Sequence, residues 1–230
     1  MLKVFDIRTY FYFWGSAFGL FPLLIIFLKR QDLRKEIILS GFLFSFIGVI
    51  LEYIFFQDYW NPTLLIQFGK FGGVEDLMFG FVAGGFGAVF YNFLFKRKLV
   101  KGEKKRHWIL PLMIFCQTLG IFLLTLVLKM NSIYGSAIGF LVPALVMFIV
   151  RKDLRMEIII SALLGGFILI GGEALILTSI GQDFLEKYFL LYRRVPILLG
   201  IFPISEFIWG FCFGALISPL YEFYSGKKMV

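Results

Sequence analysis

The chain has 230 residues, of which 60% are hydrophobic and 20% aromatic, and its formal net charge is +8. This composition excludes an ordinary soluble globular domain. The positive charge does not indicate nucleic-acid binding, because most basic residues lie in short segments between apolar runs, as in membrane proteins. One histidine and two separated cysteines are also too few for a zinc site or a Ser-His-Asp triad.

Seven apolar runs each approach the roughly 20 residues that cross a bilayer as a helix. In chain order they lie at 9–28, 37–56, 74–95, 108–128, 133–150, 157–178 and 203–224. The first is not predicted to be a cleaved signal, because it is long and no small-residue cleavage site follows it. The sequence therefore predicts an all-α polytopic membrane bundle with seven transmembrane helices.

The charged segment after the first predicted helix recurs after the fifth. It reads RQDLRKEIILS from Arg30 and RKDLRMEIIIS from Arg151, at an offset of 121 residues. The same offset pairs two prolines and two glutamates, namely Pro22 with Pro143 and Glu52 with Glu173. Each copy is therefore predicted to be a hinge between two helices of a duplicated unit.

A second match follows along the chain. Residues 72–81 align with residues 202–211 at an offset of 130, and the nine-residue difference falls in a connecting loop, where insertions are tolerated. Each unit then has three helices, and one unmatched helix joins the units, so they are predicted to be parallel repeats. The predicted parts are the first repeat (1–98), the basic loop with the linker helix (99–130) and the second repeat (131–230).

The placement of the basic residues predicts an orientation. With the amino terminus outside, the cytoplasmic segments would be 29–36, 96–107, 150–156 and the carboxyl tail, which hold 16 of the 23 Lys and Arg residues. The positive-inside rule thus predicts a multi-pass cell-membrane protein with its carboxyl terminus in the cytoplasm. The basic segments are also expected to contact anionic lipid head groups.

Carboxylates inside apolar helices are costly and commonly mark functional sites. Glu52 and Glu173 lie late in helices that run outward. Asp76 and Glu206 lie early in helices that run inward, so all four acids are expected near the outer loops.

Asp76 and Glu206 each begin a stripe of glycines spaced four residues apart, which should pack against a neighbouring helix and turn both acids into the bundle. The glycines are Gly80 and Gly84 in the first copy and Gly210 and Gly214 in the second. Glu75 is expected either to cap the helix start or to take part in the chemistry. Glu222, near Lys227, is expected to form a surface ion pair.

The turn before the third helix of each unit reads GVED at Gly73–Asp76 and PISE at Pro203–Glu206. Together with Trp60–Pro62 in the preceding loop and with the three-helix unit, these motifs resemble the lycopene cyclase domain. That family has approximately Pro-Leu-Glu-Glu before a Phe-rich helix, and it occurs as small microbial membrane subunits and as a tandem in fungal bifunctional enzymes. The resemblance covers both halves, but Ser205 replaces the first acid of the second copy, and Trp-Asn-Pro has no second counterpart.

The resemblance implies an intramolecular lyase or isomerase that cyclises a linear isoprenoid end without a cofactor or metal. A proton adds to the terminal double bond, the ring closes through a carbocation, and a proton is removed. The acids and bases implied at the motif positions are Glu75, Asp76 and Glu206. Support or proton relay is expected from Glu52, Glu173 and Trp60. The substrate would be a membrane-dissolved carotenoid or another isoprenoid lipid.

Two other functions stay open. A proton-coupled transporter of three plus one plus three helices would use the acids as proton carriers, although their expected position toward one face of the membrane counts against it. A non-catalytic membrane subunit would need a partner chain, and the sequence does not decide between homo- and hetero-oligomers. A retinal-binding bundle is disfavoured, because the last helix has no lysine before Lys227 at its end.

Overall fold

The computed structural model describes residues 6–100, 102, 109–181, 183–192, 194–198 and 202–229. Seven helices in these ranges are long and apolar enough to cross a membrane. They are α1 (Phe11–Lys29), α2 (Arg34–Asp58), α3 (Val74–Leu94), α4 (Ile109–Phe122, continued by a π-helical turn over Leu123–Val127), α5 (Ser132–Val150), α6 (Arg155–Ile180) and α8 (Ile204–Ser225). A short helix, α7 (Asp183–Tyr188), lies between α6 and α8. The prediction of seven long apolar helices is confirmed, and the architecture is that of a polytopic helical membrane protein.

Two short 3₁₀ turns form the hinges that join α1 to α2 and α5 to α6. They span Gln31–Leu33 and Lys152–Leu154. The arginine before each turn makes a two-bonded ion pair with the aspartate two residues later, Arg30 with Asp32 and Arg151 with Asp153. A planar guanidinium matches a carboxylate in this way, so each pair fixes the turn locally.

The same two arginines tie the hinges to the ends of other helices. Arg30 donates to the carbonyl oxygens of Asn92 and Arg97, just where α3 ends. Arg151 donates to those of Glu222 and Lys227 at the end of α8. Carbonyls at and just beyond a helix end lack intrahelical donors, and the guanidinium groups donate to them there; Asn92 O also accepts from Arg97 N.

Small residues bring α2 against α3 and α6 against α8, the two most extensive helix contacts. A Cβ added at Gly84 would lie 2.6 Å from the Ser40 carbonyl oxygen, and one at Gly210 would lie 2.7 Å from the Gly165 carbonyl oxygen. No larger side chain fits at either place. The prediction that the glycine stripes face a neighbouring helix is confirmed.

The end of the bundle that holds both hinges is called the hinge end. There, β1 (Leu99–Val100) pairs antiparallel with β4 (Lys228–Met229). Much of the predicted basic loop, residues 101 and 103–107, lies outside the described residues, as does residue 108 at the predicted start of the linker helix.

The opposite end, called the loop end, holds the connections after α2 and α6. These connections contact each other, because Asn61 N donates to Tyr188 O at 2.9 Å and Leu190 N donates to Tyr59 O at 2.8 Å. A further antiparallel pair, β2 (Ile197–Leu198) with β3 (Phe202–Pro203), precedes α8. The loop end is thus a hydrogen-bonded cover over the helices.

The helices differ in depth within the bundle. Two thirds (67%) of the α8 span is buried, compared with 17% of the α4 span. Helix α8 is therefore the centre of the core, whereas α4 packs at the edge, mainly on α5.

Candidate functional site

The four intramembrane acids predicted from the sequence are all buried at the loop end of the bundle. Glu52 lies near the end of α2 and Glu173 in the later part of α6, while Asp76 and Glu206 lie in the first turns of α3 and α8. None of the four is more than 8% exposed. The structure brings them together as two carboxyl pairs, each with one member from a helix end and one from a helix start.

The first pair is Glu52 and Asp76, whose side chains interact with each other and line the same cavity. Two neighbouring carboxyl groups can hydrogen bond to each other when one of them carries a proton. Tyr12 Oη donates to Asp76 Oδ1 at 2.6 Å, and Trp60 Nε1 donates to Glu52 Oε2 at 3.0 Å. The Gly73 amide also donates to Asp76 Oδ2 at 2.5 Å, so Asp76 caps α3. Three donors, from Tyr12, Trp60 and Gly73, therefore surround the pair.

The second pair joins Glu173 to Glu206 in the same manner. Tyr59 Oη, at the end of α2, donates to Glu206 Oε1 at 2.6 Å, and the Ser205 hydroxyl lies at 3.5 Å from the same atom. Glu173 Oε2 receives no N–H or O–H from the part of the chain that is described. The second pair thus has fewer donors than the first.

A cavity of about 50 Å³ lies beside the first pair, and Tyr12, Glu52 and Asp76 form part of its wall. The rest of the wall is rich in aromatic rings, among them Phe140, Trp209 and Phe213. Trp209 and Phe213 stack with centroids 5.1 Å apart, and Phe140 meets both rings edge-on. Aromatic faces stabilise a nearby cation. The volume suits about one or two water molecules, so a larger ligand must displace side chains.

Glu75 lies apart from this cavity although it neighbours Asp76 in sequence. It is fully buried, and its Oε1 accepts from the Leu65 amide of the preceding loop at 2.5 Å. Its contacts are those of a loop anchor. The predicted catalytic role of Glu75 stays a prediction.

The sequence reasoning missed Tyr12 and Tyr59, the hydroxyl donors of the two pairs. Tyr12 is 64 residues from Asp76, and Tyr59 is 147 residues from Glu206. Ten tyrosines in an aromatic-rich chain give no sequence signal for which of them reach an acid. The position of the two tyrosines along their helices was a weak signal. The first turn of α1 and the end of α2 both lie at the level of the outer loops, as the four acids do.

A second group of acids lies buried at the hinge end, and the sequence reasoning had not identified it as a site. Glu36 and Glu157 come from the two hinge copies and Glu222 from α8, and none is more than 1% exposed. Ser218 Oγ donates to Glu157 Oε1 at 2.7 Å, and Asn92 Nδ2 donates to Glu222 Oε1 at 2.9 Å. We call these three glutamates the hinge-end acids.

Several oxygens of this group have no hydrogen-bond donor within the described ranges. They are both carboxyl oxygens of Glu36, Oε2 of Glu157, Oε2 of Glu222 and Oδ1 of Asn92. Among the described residues, no three His, Cys, Asp or Glu side chains are placed to hold a metal ion. Buried acceptors of this kind are satisfied by a bound proton or by water, and in the described part of the chain they do not form a preformed metal site.

One expectation about these acids is corrected here. The surface ion pair expected for Glu222 was wrong, because the side chain is fully buried and bonds to Asn92 across the α3–α8 contact. The four predicted acids do share the loop end, and the hinge-end acids, which were not among them, occupy the opposite end. The Lys and Arg residues of each hinge are typical of a surface segment. The glutamate that follows, Glu36 or Glu157, nevertheless points into the bundle from the first turn of the next helix.

In comparisons with known proteins, the chain matches no family model, no curated protein and no solved structure. The fold and the site define its class only as a polytopic helical membrane protein with paired buried carboxyl groups.

Proposed function

We propose that this chain is an integral membrane acid–base catalyst that cyclises the linear end of a carotenoid or related isoprenoid, as lycopene cyclases do. The observation that carries the proposal is the Glu52–Asp76 pair, two buried carboxyl groups side by side at the wall of an aromatic-lined cavity. A hydrocarbon offers no polar group to bind, so a site for it needs little more than a proton donor, a matching base and apolar walls.

The proposed reaction is redox-neutral and uses a single proton. The protonated member of the Glu52–Asp76 pair gives its proton to the terminal double bond of the substrate. The electron pair of a second double bond closes the ring, and the positive charge moves to a ring carbon that faces the aromatic wall. The carboxylate pair then takes a proton from the adjacent carbon, which forms the new ring double bond and restores the pair. Hydrogen bonds from Tyr12 and Trp60 stabilise the carboxylates while the proton is away.

Glu206 and Glu173 are proposed as the corresponding pair of the second half. They do not line the cavity described above, and Tyr59 ties them to the end of α2. We therefore propose that Glu206 acts as an acid and Glu173 as its support at a second site, separate from the cavity.

The proposal includes the arrangement of the chain as two parallel three-helix repeats joined by α4. Contacts that recur at the two sequence offsets support it. Arg34 Nε donates to Phe27 O and Arg155 Nε to Phe148 O, each at 2.9 Å and 121 residues apart. Val74 N donates to Ile66 O and Ile204 N to Pro196 O, 130 residues apart.

The proposed orientation puts the hinge end in the cytoplasm and the loop end outside. The basic residues of both hinges and of the segment after α3 support it through the positive-inside rule.

Expression in lycopene-accumulating bacteria tests the function directly. The pigments are separated by liquid chromatography, and their masses are measured by mass spectrometry. We expect the wild type to form a cyclic product of unchanged mass. Asp76→Asn and Glu52→Gln should lower its formation about 10²-fold or more, as loss of a general acid or base does. Asp183→Asn, an exposed loop-end acid, is the matched control. Pigment that stays linear despite good membrane expression of the wild type contradicts cyclisation of lycopene.

Glu75→Gln and Glu206→Gln belong to the same panel. If Glu75 only anchors its loop, the Gln variant should lower stability and leave the product per folded molecule unchanged. Loss of product with unchanged stability would instead make Glu75 catalytic.

A proton-coupled transporter is the second candidate, and the hinge-end acids favour it because buried carboxyl groups then occur at both ends of the bundle. Proteoliposomes with a trapped pH-sensitive dye test this function under an imposed pH gradient. Proton movement that Glu36→Gln and Glu52→Gln each abolish supports transport. Wild-type proteoliposomes that keep the imposed pH gradient contradict transport.

A further inference from the structure

A long apolar groove runs along the lipid-facing side of α1 and α2. Its volume is about 590 Å³, within the range of about 300–1,000 Å³ that is usual for ligand sites. Ala17, Phe21, Leu24 and Phe27 line it from α1, Ile38 from α2 and Phe81 from α3. Phe21 and Leu24 are 68% and 53% exposed, so the groove opens toward the bilayer. From Ala17 to Phe27 it extends for about 15 Å at the helical rise.

A guanidinium group stands at the hinge end of this groove. Arg34 lies over the Phe27 ring, with Cζ 5.0 Å from the ring centroid, and its Nε donates to Phe27 O at 2.9 Å. Among the described residues, its Nη groups have no partner. They are therefore available for bidentate binding of a phosphate.

The other charges near this end are mostly positive. Lys29 and Lys35 are exposed on either side of the hinge. The nearby acids do not compete, because Asp32 is paired with Arg30 and Glu36 is buried inside the bundle. The end of the groove is therefore cationic, whereas its walls are wholly apolar.

We infer that the groove and Arg34 form a binding site for an anionic phospholipid, whose acyl chain lies in the groove and whose phosphate is bound by Arg34 with Lys29 and Lys35. An acyl chain has no polar atom and suits the walls. A net negative head group suits the three cations, because juxtamembrane Lys and Arg attract anionic lipid. This inference does not depend on the proposed enzymatic function.

The second hinge provides an internal comparison. Arg155 repeats both contacts of Arg34, since it lies over Phe148 and donates to the Phe148 carbonyl. At the offset of 121 residues, however, the two lysines are replaced by Val150 and Met156, and Ala17 is replaced by Ile138. An arginine in the same local setting thus lacks these two lysines and the small groove residue, although Lys152 stands there in place of Gln31.

The test measures lipid binding to the purified full-length protein by native mass spectrometry, with phosphatidylglycerol and phosphatidylcholine of the same acyl chains. We expect the wild type to bind phosphatidylglycerol about tenfold more tightly. Arg34→Gln should abolish this preference, and Arg155→Gln should keep it. Because both variants lose the same bond to a phenylalanine carbonyl, their comparison removes the effect on folding.

Ala17→Phe fills the groove without changing any charge, so it should weaken the binding of both lipids and leave their ratio unchanged. Glycerophosphoglycerol, which has the head group without the chains, should not compete. The inference is overturned if the wild type shows no preference, if Arg155→Gln loses it as fully as Arg34→Gln, or if Ala17→Phe binds both lipids normally.

Discussion

At the scale of single residues, the two carboxyl pairs are distinguished by their hydroxyl partners. Tyr12 and Tyr59 each give one hydrogen bond of 2.6 Å to a buried acid, but only Tyr12 lies at the cavity wall. A buried acceptor that loses its donor costs about 1–3 kcal/mol. The two tyrosines should therefore contribute similarly to stability and differently to chemistry.

We predict that Tyr12→Phe and Tyr59→Phe lower the free energy of unfolding by similar amounts, about 1–3 kcal/mol each. Thermal unfolding of the purified variants in detergent checks this. Only Tyr12→Phe should also slow formation of the cyclic product, because it removes a donor that stabilises the Asp76 carboxylate during proton transfer. Equal loss of product in both variants would speak against the Glu52–Asp76 pair as the reacting group.

The sequence was sufficient to locate the four loop-end acids but not their partners. Glu52 and Asp76 were found because each interrupts an apolar pattern and each has a counterpart in the other half. Glu36 and Glu157 were overlooked because they lie among Lys and Arg residues, where a carboxylate looks solvated. Which face of the next helix turn points inward depends on the geometry of the 3₁₀ hinge, and no local pattern encodes that.

At the scale of elements, the seven long helices were predictable and the features at their ends were not. Each helix produces an apolar run of bilayer length, so its existence follows from composition alone. Helix α7 is only six residues long and contacts the other loop-end connection through Tyr188 O, and β2 and β3 have two residues each, so neither gives a run that a sequence pattern reveals. The pairing of β1 with β4 joins segments more than 120 residues apart, so local sequence could not reveal it.

The glycine contacts give a prediction at this scale. An added Cβ at Gly84 would meet the Ser40 carbonyl oxygen at 2.6 Å, whereas one at Gly172 of α6 would have no atom within 4 Å. We therefore expect Gly84→Ala to push α3 away from α2 and to lower the unfolding temperature. Gly172→Ala, the matched control, should leave it unchanged. Equal unfolding temperatures for the two variants would mean that α2 and α3 can move apart without any loss of stability.

At the scale of the whole molecule, the two acid groups lie at opposite ends of one core. Glu36 and Glu52 are 16 residues apart on α2, or about 24 Å along the helix. Between them α2 first buries two hydroxyl groups, Ser40 and Ser45, and then an apolar layer of Ile47 and Leu51. A proton path between the ends would have to cross this apolar layer. The layer therefore favours chemistry confined to the loop end over transport across the membrane.

The orientation of the bundle gives the last prediction. In a background with Cys116 and Cys212 replaced by alanine, single cysteines at exposed Lys70 and Lys98 report on the loop end and on the hinge end. The positive-inside rule places the basic hinge end in the cytoplasm. A membrane-impermeant thiol reagent added to intact cells should thus label Lys70→Cys at once, and Lys98→Cys only after permeabilisation. Labelling of the two positions in the reverse order would invert the topology. It would also place the Glu52–Asp76 pair on the cytoplasmic side, where a substrate would have to enter from the inner leaflet.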